Sequence, residues 1–434
     1  MENNTPKILI SAYAVNPYKG SEDGTAWNMV VEIAKHNNVL VITRENNQEA
    51  IEKYRRENTM LHGEHLQFAY FDLPYWMRFW KKGGRGALLY FYLWQIGMLF
   101  FVKKKKFQFD IAHNLNFHND WTPSFLWALG KPFVWGPIGH HPRIPKSYLI
   151  KSAGKAAYYL DTLKWYAKKC FWWLDPFLKI TKFKAAKIIT INSSVHKELG
   201  FSKNKEIRLP AVATRPAPEH IETLSNKTFN ILSIGRFVPL KGFDITIEAF
   251  AKFYHQQSEH DQKQLKLTLI GKGPEKERLE KLTKSCRVEN AVEFIDWMTR
   301  SELDTYFSTA SVFLFPSHEG AGMVVPEALS FGLPVLCFDN IGPGEFVDVN
   351  CGMKVNYTTP RDSIVRFSKY LQLLFRKPEL QTRLSAGAKI HFENHFTWER
   401  KGEIISEAYR EIFKGKFSLT NKDTFNNTRE ICQI

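Results

Sequence analysis

Two glutamates, Glu319 and Glu327, stand eight positions apart in SVFLFPSHEGAGMVVPEALSFGLPVLCFD (311–339). An apolar run from Val312 to Phe315 stops at Pro316, a loop of small residues carries the first acid, and the second acid opens what reads as a helix. Paired carboxylates suit glycoside hydrolysis, but both acids lie near the side read as nucleotide-binding, so a hydrolase is not the leading reading. Earlier in the chain, Arg236 and Lys241 flank a turn in GRFVPLKGFD that also opens a helix. A guanidinium and an ammonium beside helix-end amides are suited to a diphosphate. Taken one motif at a time, a plainer reading stays open: a cation pair on a surface loop, a loop acid, and a helix-start acid favoured by the helix dipole. Near the beginning, NPYKGSEDGTAW places Gly20, Ser21 and Gly24 ahead of a helix. Such glycines let backbone approach a ligand, though the turn is not the GxGxxG fingerprint. His113 ends the strand-like FDIAHNL (109–115), and His118 follows five residues on. A lone histidine in such a place is usually structural.

All these residues fall where strand-like runs end. KILISAY (7–13), NVLVITR (38–44), LQFAYFD (66–72), FDIAHNL, PFVWGPI (132–138) and KIITINS (187–193) form one series, with helical stretches between several of them. A second series holds TFNILSIGR (228–236), LKLTLIGKG (265–273), AVEFIDW (291–297), SVFLFPS (311–317) and LPVLCFD (333–339). Alternation of this kind predicts parallel sheets covered by helices on both faces. Open sheets of this class bind ligands at the carboxyl ends of their strands. Arg236, Lys241, the glycine turn GKGPE (271–275) and the acid pair all sit at such ends, which points to a cleft between two Rossmann-like domains, the second holding a nucleotide. The proline-bearing LPAVATRPAPEH (209–220) reads as the linker. The expected division is 1–212 for a first domain and 221–396 for a second that holds the nucleotide. A helix is expected at 397–416, and 417–434 reads as a mobile polar tail.

The chain has 434 residues, 44% of them hydrophobic and 14% aromatic, enough for two sizeable cores. Five scattered cysteines show no metal-ligand spacing and read as reduced thiols of a cytoplasmic protein. MENNTPKILISAYAV is a poor signal peptide and a good first strand. The net charge of +16 lies wholly in residues 1–215, which hold 32 Lys and Arg against 16 Asp and Glu. That asymmetry predicts an anionic partner for the first domain. No nucleic-acid module is recognisable. Basic residues interleave with aromatics in YWMRFWKKGGRG (75–86), KKKKF (103–107) and YYLDTLKWYAKKCFWWLDPFLKITKFKAAK (158–187), which favours an anionic membrane surface. A merely solvated basic surface is the competing reading. The apolar run ALLYFYLWQIGMLFFV (87–102) is short for a spanning helix and reads as a buried helix whose basic end lies near a membrane face.

In combination these motifs make the chain resemble the family-four glycosyltransferases, retaining enzymes of the GT-B fold. EGAGMVVPE matches their E-x7-E motif, and GRFVPLKG their Arg and Lys diphosphate site. YKGSEDGTAW, HNLNF, TPSFLWALGKPFVWGPIG and HFTWERKG resemble a subgroup active in polysaccharide assembly. The resemblance implies an α/β GT-B architecture of two Rossmann-like domains facing across a cleft, with the acceptor bound by 1–212, the nucleotide sugar by 221–396, and the 397–416 helix crossing back to the first domain. Arg236 and Lys241 then bind the donor diphosphate with backbone amides around Gly320, Ala321, Gly322 and Met323. Glu319 contacts the donor sugar, and Glu327 accepts hydrogen bonds from the ribose diol. His113 matches the family's active-site histidine, and Gly20 and Ser21 belong to an acceptor and diphosphate loop. Transfer proceeds from a nucleotide-diphosphate sugar to a glycan or lipid-linked acceptor, with retention and with no metal or other cofactor. The location implied is the cytoplasm, peripheral on the inner face of the cell membrane. The chain departs from the pattern at GPIGHHP, where His140 and His141 replace glycines and leave the acceptor side open. A sugar-nucleotide epimerase and a catalytically silent binding protein are the alternatives. Product analysis without acceptor identifies the first, and the intact Glu319, Arg236 and Lys241 speak against the second.

Overall fold

Seven strands of the first series and its continuation form one parallel sheet: β1 (Lys7–Ser11), β2 (Asn38–Thr43), β3 (Leu66–Tyr70), β4 (Ile111–Asn114), β5 (Phe133–Ile138), β6 (Lys187–Thr190) and β7 (Glu206–Arg208). Their spatial order is β3-β2-β1-β4-β5-β6-β7. The second sheet holds β8 (Phe229–Ile234), β9 (Leu265–Ile270), β10 (Val292–Ile295), β11 (Val312–Phe315), β12 (Val335–Phe338) and β13 (Gly352–Val355) in the order β10-β9-β8-β11-β12-β13. This computed structural model describes residues 5–58, 65–81, 86–115, 119–218, 228–296 and 298–430, with backbone alone for Ser21, Arg300 and 416–430. His118 lies outside the described residues.

Parallel strands covered on both faces need apolar residues at every position rather than at alternate ones. β8, β11 and β12 meet that demand, since every residue in them is buried. The strands end up to three residues earlier than the apolar runs do. β7 and β13 escaped the sequence reading because EIR and GMKV are short edge segments with no continuous apolar run. In both sheets the strand order reverses beside the first strand, between β1 and β4 and between β8 and β11. Loops leaving such a point diverge and open a crevice at the strand ends.

Chain contacts divide the molecule into one unit of residues 1–139, 170–211 and 398–434 and another of 140–169 and 212–397. This differs from the expected division, because 140–169 packs with the second sheet. Tyr148 is 2% exposed in that core, and its hydroxyl lies 2.6 Å from Ser363 Oγ. Lys151 pairs with Glu248 at 2.5 Å. The expected linker is not free at its start either, because Leu209 and residues 211–214 are buried.

The helix Trp398–Glu430 belongs to the first unit and runs past the point where a polar tail was expected. No proline stands between 416 and 430 to end it. Asn37 Nδ2 donates to Ser406 Oγ at 2.8 Å, and Lys187 pairs with Glu411 at 3.1 Å. Lys401 is fully enclosed and donates to the Pro210 carbonyl, and burial pushes its pKa down to about 7. The helix Ala87–Lys105 explains its own polar interruption: buried Gln95 donates to the Pro123 carbonyl at 3.1 Å. Among the described residues no helix is long and apolar enough to cross a membrane.

Candidate functional site

β8 and β11 are direct neighbours, with Ile231 opposite Val312 and Leu232 opposite Phe313. The loops that follow them therefore leave the sheet side by side. Backbone bonding ties them together: the His318 N–H donates to the Leu240 carbonyl at 2.8 Å. Gly242 makes the approach possible. It is left-handed at φ 69°, and a Cβ there would lie 2.0 Å from the Pro316 carbonyl oxygen. Gly242→Ala is thus expected to force the loops apart and cost about 2 kcal/mol or more of stability, since strain and overpacking add. Denaturant unfolding of the variant checks this; an unchanged midpoint would contradict it.

The result is a two-pronged pair: Lys241 Nζ sits 2.7 Å from each carboxylate oxygen of Glu319. The two side chains are 15% and 16% exposed, so a ligand can reach a pair that is otherwise largely desolvated. Lys241 also lies 5.1 Å from the Phe315 ring centroid. Arg236, on the same loop as Lys241, is exposed and makes no ion pair among the described residues. Glu327 stands half-buried in the first turn of the helix Val324–Ser330, where the helix dipole favours an anion. Between the acids, Gly320 and Gly322 are buried, Ala321 is half-buried, and Met323 is 41% exposed.

The second unit thus brings Arg236, Lys241, Glu319, the 320–323 loop and Glu327 onto adjacent loops and the helix that follows. Its segment 140–169 adds the unusual histidines. Gly320 lies so close beneath them that a Cβ would meet the His140 carbonyl oxygen at 2.4 Å and His141 Nδ1 at 3.0 Å. His140 and His141 therefore touch the loop after Glu319, so the departure at GPIGHHP bears on the donor loop itself.

Several neighbours were not singled out from sequence. His318, just before Glu319, stacks on Phe338 and Tyr357 at centroid distances of 5.2 Å and 5.6 Å. Its Nδ1 lies 2.7 Å from the Tyr357 hydroxyl, which also accepts from Asn340 Nδ2 at 3.3 Å. That leaves the Tyr357 proton for His318 Nδ1. Burial pushes the His318 pKa down to about 4 and keeps the ring neutral. Asn340 donates to the Ser317 carbonyl at 2.8 Å and so braces the loop carrying Glu319. Arg143, His318, Asn340, Glu345 and Tyr357 help line a cavity of about 470 Å³. The only sequence signals were the histidine in SHEG and the asparagine that ends FDN.

Gly20, Ser21 and His113 lie in the first unit, near the reversal point of its own sheet. Gly20 is exposed and extended, and it caps the helix Ser21–Ala34. His113 stands in β4 opposite Ile10 of β1 and has no exposed surface. Its two ring nitrogens are both engaged: Nε2 bonds to the Gly136 carbonyl at 2.7 Å and Nδ1 to the Tyr409 hydroxyl. A carbonyl only accepts, so Nε2 carries the proton and Nδ1 accepts from Tyr409. Burial pushes the His113 pKa down to about 4. An unfolded histidine takes up its proton near pH 6.5, so the stability carried by this neutral ring is full above that pH and is lost as pH falls toward 4. Tyr409→Phe strands a buried ring nitrogen and is expected to cost about 1–3 kcal/mol at pH 7, read by denaturant titration. A cost near zero would show that the bond carries nothing.

One group of the described residues has metal-ligand chemistry: Asp348, Cys351 and His391, with ligand atoms within 4.8 Å of one another. Local bonding already occupies it. The Cys351 sulfur accepts from the Asp348 N–H at 3.3 Å, His391 Nε2 lies 3.1 Å from the Phe346 carbonyl, and burial pushes the thiol pKa up to about 12.

Comparison with known proteins agrees with this architecture. Residues 218–391 match the family model described as glycosyl transferases group 1, so the second unit carries a domain of that class. An uncharacterized glycosyltransferase of Haemophilus influenzae is 30% identical over 227 residues, which are 51% of this chain and 60% of that protein. The lipopolysaccharide core biosynthesis glycosyltransferase LpsD of Rhizobium meliloti is 28% identical over 229 residues, 50% of this chain and 59% of the relative. The chain thus spans less than two thirds of the length of either relative. HepE of Anabaena, solved in complex with UDP, superposes with a TM-score of 0.61 at 15% identity and covers 93% of this chain and 100% of its own. At that identity the likeness is one of fold, and the fold is GT-B: two Rossmann-like units with parallel sheets.

Proposed function

We propose that this protein is a retaining glycosyltransferase of family four that moves a hexose from a nucleotide-diphosphate sugar to a glycan. The observation that carries the reading is the Lys241–Glu319 pair at the reversal point of the second sheet, with the exposed Arg236 on the loop of Lys241. A diphosphate leaving group gathers negative charge as its bond to the sugar breaks, and fixed cations and amides stabilise it there. Arg236 and Lys241 hold the diphosphate, with backbone N–H groups of the 320–323 loop. Glu319 then turns from Lys241 to the donor sugar, and Glu327 takes the ribose hydroxyls. The anomeric carbon loses its bond to the phosphate oxygen and gains one to the acceptor oxygen on the same face. The acceptor proton passes to the departing phosphate. The two cations supply the charge such a reaction needs, so the reading calls for no metal. His113 is assigned a positioning role, fixing the Gly136 and Tyr409 contacts in the first unit, and the loop at Gly20 and Ser21 is assigned to acceptor or phosphate.

The acceptor proposed is a lipid-linked or growing polysaccharide. A relative acting in lipopolysaccharide core biosynthesis supports it. So does the +16 charge confined to residues 1–215, which suits peripheral attachment to the anionic inner face of a cell membrane. The test is a thermal-shift screen of nucleotide sugars, followed by turnover with lipid-linked acceptors. At a hundred times its dissociation constant, the true donor adds about 2.7 kcal/mol to stability. The absence of a shift with every nucleoside diphosphate and its sugars would overturn the reading.

A further inference from the structure

The helix Ala87–Lys105 is apolar on all sides. Tyr90, Phe91, Trp94 and Met98 face the first core, yet Leu89, Ile96 and Phe100 on the outer side are 59%, 38% and 71% exposed. A helix that is hydrophobic all round is normally enclosed on all sides, by protein or by lipid. This one ends in three exposed lysines, Lys103, Lys104 and Lys105.

Beside its first turns a groove of about 670 Å³ opens within the first unit. Leu88, Leu89 and Tyr92 form one wall, and Phe171, Leu174 and Phe177 the other. Leu88 and Tyr92 (i, i+4) share one helix face and Phe171 and Leu174 (i, i+3) another, while Phe177 comes from the following helix Pro176–Lys184. The lining is almost wholly carbon. Its one carboxylate, Asp175, is already engaged: Oδ1 accepts from the N–H groups of Phe177 and Leu178 at 2.8 Å and 3.2 Å, and Oδ2 from the Tyr92 hydroxyl at 2.9 Å. Polar recognition inside the groove is therefore small, and a chain without polar groups is what it fits. The surroundings select the other end of such a ligand. Lys179 and Lys184 are exposed on the helix Pro176–Lys184 beside the 76%-exposed Phe183.

We propose that this groove binds one hydrocarbon chain of an anionic membrane lipid, with the surrounding lysines meeting its phosphate headgroup. The proposal rests on the peripheral membrane attachment put forward above and adds a chain-specific site to a charge-driven one. Burying methylenes gives attachment a component that salt does not screen.

Cys170 lines the groove and is exposed, which provides a readout. Its alkylation rate in the full chain is measured by peptide mapping with dodecyl phosphate below its micelle concentration, and with inorganic phosphate as the control. At ten times its dissociation constant, the amphiphile is expected to slow the reaction roughly tenfold. Inorganic phosphate should leave the rate unchanged. Leu89→Asp combined with Leu174→Asp, both on exposed positions, should abolish protection. In co-sedimentation with phosphatidylglycerol-containing vesicles, the same variant should bind at low salt and release at a salt concentration the natural chain withstands. An unprotected Cys170 in the natural chain overturns the groove proposal. If vesicles still sediment that chain at low salt, the membrane reading stands without it. Equal protection by inorganic phosphate overturns the chain as ligand, and protection without any vesicle binding overturns the bilayer as its source.

Discussion

Glu319→Gln is expected to lower sugar transfer by about a hundredfold or more, the scale on which loss of a fixed transition-state contact is felt. The fold should survive. Glu319 sits on a loop beyond β11, its side chain is 16% exposed, and glutamine retains an oxygen for Lys241. The ion pair is replaced by a hydrogen bond from the Lys241 ammonium to an uncharged amide oxygen, a change of about 1 kcal/mol, which moves the melting temperature by at most a few degrees. Activity and stability therefore separate. Transfer at the natural rate by a folded Glu319→Gln protein would remove the carboxylate from the reaction. Parallel collapse of melting temperature and activity would reduce Glu319 to a brace for Lys241.

The second large effect concerns phosphate recognition. Arg236→Ala should weaken a nucleoside diphosphate by about 10- to 100-fold, the equivalent of one charge-assisted hydrogen bond of about 1.5–3 kcal/mol. The free nucleoside should be barely affected, because the guanidinium matches phosphates and not the base. Stability should not change, since Arg236 is exposed and makes no ion pair among the described residues. Lys241→Ala should differ in kind. It removes a phosphate contact and also leaves the Glu319 carboxylate uncompensated beside the incoming anion, so binding falls further and the fold loses stability as well. Calorimetric titration with the diphosphate and the nucleoside separates the cases. Equal losses for both ligands would place Arg236 and Lys241 away from the phosphates.

Much of this was legible because parallel sheets write themselves as unbroken apolar runs. VFLF and VLCF announce buried strands, and the residues just after them announce strand-end loops. The reversal between β8 and β11 explains why GRFVPLKG and SHEGAG, far apart in sequence, become neighbours. The pairing of Lys241 with Glu319 was not legible, because it depends on Gly242 admitting the Pro316 carbonyl. Nor was the placement of His113: a strand-end histidine reads alike whether it faces solvent or, as here, is capped by Tyr409 from a helix almost three hundred positions on, 296 by count. Residues 140–169 looked like part of the first domain because they follow β5 directly. Their packing is decided by Tyr148, whose aromatic contacts are His318, Phe338 and Tyr357 of the second unit. Local pattern carries strands and loops; long-range contacts between single side chains carry the rest.

The most direct test of the central claim is to follow the anomeric centre itself. Donor sugar, protein and acceptor are incubated together and separately, and the products are read by proton and carbon NMR. The account predicts a glycoside whose new linkage has the anomeric configuration of the donor, released nucleoside diphosphate in equal amount, and about a hundredfold less of both in the same time from Glu319→Gln. An inverted linkage, or a nucleotide sugar altered at a ring carbon in the absence of acceptor, would contradict it.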